Sequence, residues 1–465
     1  MKVAVIGGGL AGVSTAYELA RAGADFTLYE ASQRLGGIVE TVHRDGFVVE
    51  CGPDSWVTEK PWARELAVEL GLEDEIIPSN DNWRKTYIAQ GKQLIPMPDG
   101  LRMMVPTRWE PLLNSPLFSW QARLAYLREP KRAEELKSTA PDADESVADF
   151  VRRHFGNEVT KTIAGPLLAG IFGGSVDALS VRAVMPAFVK MEREHGSLIH
   201  ALQKSVRNAT PASVFTSLKS GLQTLIDRMV VTLPASSLRM REAVTSVSQG
   251  DNGGWRVQSS SGIEVFDRVV IATPADATRQ LLAPLDSDFD DLLAMDASSA
   301  ITVAIAFAKE QAIRMRIPRG FGFLVPQTAD KKQEPSLLAC TFVDQKFAHR
   351  VPDGSLLLRA FFGGSSAPLL LDASDDEIVS RAMRQLSQLL GQLPEPSFTV
   401  IRRWPRSLPQ YAVGHLERME QLQQRTQKFP GLSLVGNAYY GVGLPDLVRQ
   451  GRETARRLAS ETASL

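Results

Sequence analysis

The chain opens on a short apolar run, Lys2-Val3-Ala4-Val5-Ile6, that breaks directly into Gly7-Gly8-Gly9-Leu10-Ala11-Gly12. Behind the turn Val13, Ala16, Tyr17, Leu19 and Ala20 recur at helical spacing, and Gly23 supplies a stop. A second apolar strand, Phe26-Thr27-Leu28-Tyr29, then ends on Glu30. Strand, glycine turn, helix, strand and acid in this order predict a dinucleotide-binding βαβ unit. Gly7 permits the tight turn, Gly9 lets backbone approach a pyrophosphate, and Gly12 lets helix and strand pack closely. The helix N-terminus faces the phosphate charge, and Glu30 accepts hydrogen bonds from ribose hydroxyls. The unit alone does not choose between NAD and FAD, and a bare βα turn can carry the same glycines without a ligand.

Composition narrows what surrounds this unit. At 465 residues, 44% hydrophobic and 23% charged, the chain is long enough for two or three lobes with real cores. Its formal net charge of −1 argues against a polycation that holds nucleic acid by bulk charge. Two cysteines, Cys51 and Cys340, build neither a disulfide scaffold nor a four-cysteine zinc site, which fits a reducing, cytoplasmic compartment. With the motif beginning at residue 3 no signal peptide is expected, and the longest weakly polar run, residues 297–308, is too short to span a bilayer. The six histidines show no metal-binding spacing, so no metal is expected. A GxSxG nucleophile elbow is missing as well.

Two later glycine segments extend the pattern. Arg34-Leu35-Gly36-Gly37 follows Glu30 closely, as suits a cofactor that continues past its pyrophosphate toward an inner ring, and it leads into Phe47-Val48-Val49-Glu50 and the loop Cys51-Gly52-Pro53-Asp54-Ser55-Trp56. Near the end, the strand Leu432-Ser433-Leu434-Val435 enters Gly436-Asn437-Ala438-Tyr439-Tyr440-Gly441-Val442-Gly443-Leu444-Pro445, where Pro445 suits the first turn of a helix. Such a loop aims free N–H groups and a positive dipole end at whatever lies above it. Between these ends, Asp267-Arg268-Val269-Val270-Ile271-Ala272-Thr273-Pro274 reads as a strand and turn, preceded by Thr245-Ser246-Val247. Tyr439-Tyr440 could face substrate but is read as packing beneath its loop, and Arg402-Arg403 could be a carboxylate site but is read as a solvated face.

Together these segments resemble the flavin-containing amine oxidase superfamily. Within it, Pro166-Leu167-Leu168-Ala169-Gly170-Ile171-Phe172-Gly173-Gly174 and Pro409-Gln410-Tyr411-Ala412-Val413-Gly414-His415 are similar to segments of the protoporphyrinogen/coproporphyrinogen III oxidase family. The resemblance implies an α/β fold with a discontinuous Rossmann-like FAD-binding domain from residues 1–84, 205–291 and 416–465. A helical insertion would occupy 85–204 and face substrate or membrane, and a mixed α+β substrate domain 292–415. It implies non-covalent FAD on Gly7, Gly8, Gly9, Leu10, Ala11, Gly12, Glu30, Arg34, Gly37, Ile38, Gly52, Pro53, Asp54, Ser55, Val247, Asn437, Val442, Gly443 and Leu444. The C-terminal loop would stabilise charge at the edge of the reduced flavin.

The implied reaction removes six electrons from protoporphyrinogen IX or coproporphyrinogen III, with O₂ as acceptor and H₂O₂ as product, in haem biosynthesis. Arg84 would meet a substrate carboxylate, and the Gly170 carbonyl would face the reacting carbon. Cys51 departs from the larger residue common in relatives and reads as a small buried hydrophobe. A homodimer and peripheral contact with a membrane are compatible with the family. The rival readings are an amine oxidase or carotenoid-type desaturase of the same superfamily, and a flavin-binding redox sensor without turnover.

Overall fold

The computed structural model describes residues 1–206, 213–250, 253–327 and 334–463. Residues 207–212, near the start of the stretch expected to resume the cofactor domain at 205, lie outside the described residues. One parallel sheet gathers the separated stretches. Its strands run Leu238–Met240, Asp25–Glu30, Lys2–Ile6, Arg268–Ile271 and Leu432–Leu434, in that spatial order. Val5 pairs with Leu28 on one side and Val270 on the other. The opening strand is apolar throughout because both faces of a parallel sheet are covered. Val3 and Val5 pack with the helix Leu10–Arg21 and with Val448 and Leu458 of the C-terminal helix Leu444–Ala463, while Ala4 and Ile6 pack with Trp255, Phe266 and Phe289 on the other face. Gly451 makes the two helices' close approach possible, since a Cβ there would lie 2.5 Å from the Ala11 carbonyl oxygen.

A second sheet of seven strands stands beside the first. Its order is Phe398–Pro409, Ala297–Phe307, Leu356–Phe362, Leu337–Phe342, Gly322–Leu324, Thr86–Gln90 and Gln93–Pro96. All neighbours are antiparallel except Gly322–Leu324 and Thr86–Gln90. The helix Asp375–Leu390, capped by the Ser374 side chain on the Glu377 N–H, closes one face with Ile378, Ala382 and Leu386. The hairpin Thr86–Pro96 therefore joins this sheet, although the sequence places it in the helical stretch beginning at 85. It is too short to reveal its partner, which lies more than two hundred residues away.

The helical part has its own core, built on Phe118, Tyr126, Phe150, Phe155, Ile163 and Leu168. The amphipathic pattern over residues 120–136 suggests one helix, but the structure breaks it into Trp120–Arg128, a 3₁₀ turn Glu129–Arg132 and Ala133–Ser138. Pro130 lacks the N–H that a continuous helix needs. The turn also delivers Glu129 into the interior, where its carboxylate accepts from the Ser197 hydroxyl at 2.6 Å and the Leu198 N–H at 2.7 Å. Ser146 caps Val147–Phe155 as its position predicts, accepting from the Asp149 N–H at 3.0 Å.

Candidate functional site

The glycine turn opens onto a cavity of about 640 Å³ between the two sheets. Gly7, Gly8, Gly9, Leu10, Ala11, Glu30, Gly37, Ile38 and Asn437 line it, all named by the sequence. Gly7 has φ +108°, so the turn requires glycine there, and a Cβ on Gly12 would collide with the Gly7 carbonyl oxygen. Gly9 differs: a Cβ there would meet nothing within 4 Å. It is the N-cap of Leu10–Arg21, which has no side-chain cap and no acid in its first turn. Free helix N–H groups beside an open space fit a pyrophosphate. Glu30 accepts from the Gly8 N–H at 2.7 Å and the Ser32 N–H at 2.8 Å, which fixes its carboxylate at the cavity wall.

The Arg34-Leu35-Gly36-Gly37 turn docks on the first one. Gly36 N–H donates to the Gly8 carbonyl at 2.8 Å, and the Arg34 guanidinium serves the carbonyls of Leu35, Gly37 and Val39. Arg34 thus acts through the loop it folds and does not line the cavity. Gly52 backs onto the Ile38 carbonyl so closely that no Cβ fits.

Pro53 and Ser55 stand either side of Asp54 in the next loop, where Asp54 pairs with Lys346 at 2.9 Å and Arg359 at 3.1 Å. Burial opposes its charge, but the two cations outweigh burial and hold its carboxyl well below the usual range. Glu50 faces Arg350 at 3.2 Å in the same interior. Sequence alone names neither Lys346, Arg350 nor Arg359, because their partners lie about three hundred residues away. Cys51 is buried as expected, its thiol pushed up to about 11 by burial and the nearby Glu40 charge. Arg402 and Arg403 correct the solvated reading. Arg402 clasps Glu40 with Nη2 to Oε1 at 2.6 Å, and Arg403 pairs with Asp375 at 2.7 Å.

The C-terminal glycine loop is braced from the second sheet. Tyr411 hydroxyl donates to the Asn437 carbonyl at 2.7 Å and accepts the Gly441 N–H at 2.9 Å. Its ring stacks on His415 with centroids 3.9 Å apart, and His415 Nε2 lies 3.0 Å from the Tyr439 carbonyl. Gln410 Nε2 donates to the Phe172 carbonyl at 2.5 Å, tying the helix Gly165–Phe172 to the same strand end. The Pro-Gln-Tyr-x-x-Gly-His segment is therefore a clamp. Tyr439 is buried beneath the loop, whereas Tyr440 is partly exposed. Val442 packs against the helical core, and Gly443 and Leu444 begin the last helix, outside the cavity.

Val247, Arg84 and Gly170 lie away from the cavity as well. Val247 is buried in the core under the antiparallel sheet Val244–Gln249, Trp255–Ser259 and Gly262–Phe266, and Val244 lines the cavity instead. Val247 belongs to the buried core, while Val244, across a register shift on the same strand, packs on that core and also reaches the cavity. Arg84 sits at the start of the hairpin, half-exposed, 3.9 Å from Asp81. Gly170 is exposed on Gly165–Phe172, and a Cβ there would approach only Leu324, at 3.7 Å. Neither borders the cavity. Among the described residues no helix is long and apolar enough to cross a membrane, and no cluster of His, Cys, Asp or Glu could hold a metal.

Known proteins match this arrangement over almost its entire length. A coproporphyrinogen III oxidase from Bacillus subtilis (strain 168) is 31% identical, with 97% of this chain and 96% of the relative covered. One from Staphylococcus aureus (strain NCTC 8325 / PS 47) is 31% identical over 99% of each. A crystal structure from Exiguobacterium sp. 255-15, assigned as a protoporphyrinogen oxidase, superposes with a TM-score of 0.84 at 30% identity, covering 99% of each chain. Cyclohexylamine oxidase from Brevibacterium oxydans IH-35A, at 15% identity and TM-score 0.72, shares the fold. The model of the flavin containing amine oxidoreductases matches residues 10–459, and the chain belongs to that family.

Proposed function

We propose that this protein binds FAD non-covalently and, with O₂ as acceptor, removes six electrons from a porphyrinogen in three two-electron steps, releasing H₂O₂. The observation that carries this reading is the full-length match, at 31%, to relatives that bear the coproporphyrinogen III oxidase name. Those names favour the four-carboxylate substrate over protoporphyrinogen IX. The bound flavin supplies the hydride-accepting centre.

The chain's own residues bind and orient. Gly7 to Gly12 offer backbone to the pyrophosphate, Glu30 the ribose, and Val244 takes the place expected of Val247. Arg34, Gly37, Ile38 and the Gly52-Pro53-Asp54-Ser55 segment shape the path to the ring. Asn437 lines the wall beside it, and Val442-Gly443-Leu444 carry the glycine loop into the helix whose N-terminus points its way. Both cysteines are buried with thiols pushed up by burial, and neither lies in the C-terminal loop, which supports a non-covalent hold. Arg84 meets a substrate carboxylate, and the Gly170 carbonyl faces the reacting carbon.

Anaerobic mixing with each porphyrinogen tests the reading. Coproporphyrinogen III is expected to bleach the flavin absorbance, and admitted O₂ to restore it with porphyrin fluorescence and H₂O₂. Flavin that stays oxidised with both porphyrinogens would overturn the proposal.

A further inference from the structure

One ion pair joins two segments that the proposed function places around the flavin. Lys60 Nζ lies 2.8 and 2.7 Å from the two carboxylate oxygens of Asp446. Lys60 follows the Gly52–Ser55 loop by the short strand Trp56–Val57, and Asp446 stands in the first turn of Leu444–Ala463. The Asp446 side chain is 5% exposed and that of Lys60 42%. The carboxylate folds back on the glycine loop: a Cβ on Gly441 would lie 2.6 Å from its Cγ, and one on Gly443 3.1 Å from Oδ2. Gly441 has φ +108°, so the loop curls over the carboxylate in a form that glycine permits.

This placement has an electrostatic consequence. A helix N-terminus carries roughly half a positive charge, and a full negative charge in its first turn reverses that field. A buried carboxylate under the loop would repel the negative charge that a reduced flavin gathers. Lys60 cancels it from the solvent side. We infer that the Lys60–Asp446 pair is a positioning element that sets how readily the bound flavin accepts electrons, with Lys60 preserving the positive field that Asp446 would erase. The inference rests on the flavin reading given above.

A purely structural strap is loosened by removing either partner, with effects of one sign. An electrostatic pair gives opposite signs. The test is the flavin midpoint potential of purified holoenzyme, by dye-equilibrated reduction, for wild type, Lys60→Met, Asp446→Asn, the double variant and Lys60→Arg. Lys60→Met is expected to shift the equilibrium about tenfold toward oxidised flavin, a fall of about 30 mV for a two-electron couple. Asp446→Asn should shift it the other way, the double variant should return near wild type, and Lys60→Arg should stay there. If Lys60→Met sheds its flavin, Asp446→Asn against wild type gives the same sign test. Shifts of one sign in both single variants, or none in either, overturn the inference. Wild-type protein without a flavin spectrum overturns the flavin reading itself, a result visible before any titration.

Discussion

Gly9 and Gly12 lie one helical turn apart and answer to different constraints. Gly12 is packed against the Gly7 carbonyl, so Gly12→Ala forces helix and strand apart and should lower folding stability by about 1–3 kcal/mol, measured by urea unfolding. Gly9 has an ordinary φ of −68° and open space where a Cβ would go. Gly9→Ala should leave the unfolding midpoint within about 0.5 kcal/mol of wild type yet weaken FAD uptake at least tenfold. Equal damage to folding from both variants would remove the argument that Gly9 serves the ligand. Among the described residues, Arg84 has a single, distant counter-charge, Asp81. Arg84→Ala is therefore expected to raise KM for the porphyrinogen about tenfold with flavin content unchanged, and unaltered kinetics would leave it a solvated arginine.

At the scale of elements, the Tyr411 hydroxyl makes two of the bonds in the clamp on the C-terminal loop. Tyr411→Phe removes the bond to the Asn437 carbonyl and the acceptor for the Gly441 N–H, each worth about 1 kcal/mol. Flavin should dissociate roughly ten times faster from this variant, read by gel filtration of the yellow protein, and retention at the wild-type rate would contradict the clamp.

The helical part carries a pH signature. His154 lies between Glu129 and Glu192, each 3.0 Å from a ring nitrogen. Burial favours the neutral ring, but hydrogen bonds to the two carboxylates outweigh it and raise the pKa above the ordinary value. A raised folded pKa means that this stabilisation is complete below the unfolded value, about 6.5, and fades as pH rises through the folded one. The thermal midpoint of wild type should therefore decline across that interval, and His154→Gln should lack that decline. Parallel pH profiles would show that the imidazole is not charged in the fold.

The βαβ unit was legible because its helix and strands announce themselves by period and its glycines by position, as were the Ser146 cap and the helix ending at Leu390. The charged interior was not. Asp54 and Arg359, Glu40 and Arg402, Lys60 and Asp446 meet across hundreds of residues, and local pattern carries no trace of a partner so far away. Val244 and Val247 are a subtler case, where two valines on one strand touch the same core and only Val244 reaches the cavity.

For the molecule as a whole, the parallel sheet explains why residues from the beginning, middle and end are needed at one place. Lys2–Ile6 pairs with Asp25–Glu30 and Arg268–Ile271, and the latter with Leu432–Leu434. The cavity borrows its walls from these stretches and from the second sheet through Ser407 and Pro409. That convergence is the central claim, and the flavin spectrum of purified protein tests it most directly. The purified protein is expected to be yellow, to release FAD into the filtrate when denatured and to regain it on refolding with added FAD. Colourless protein that takes up no FAD would contradict it.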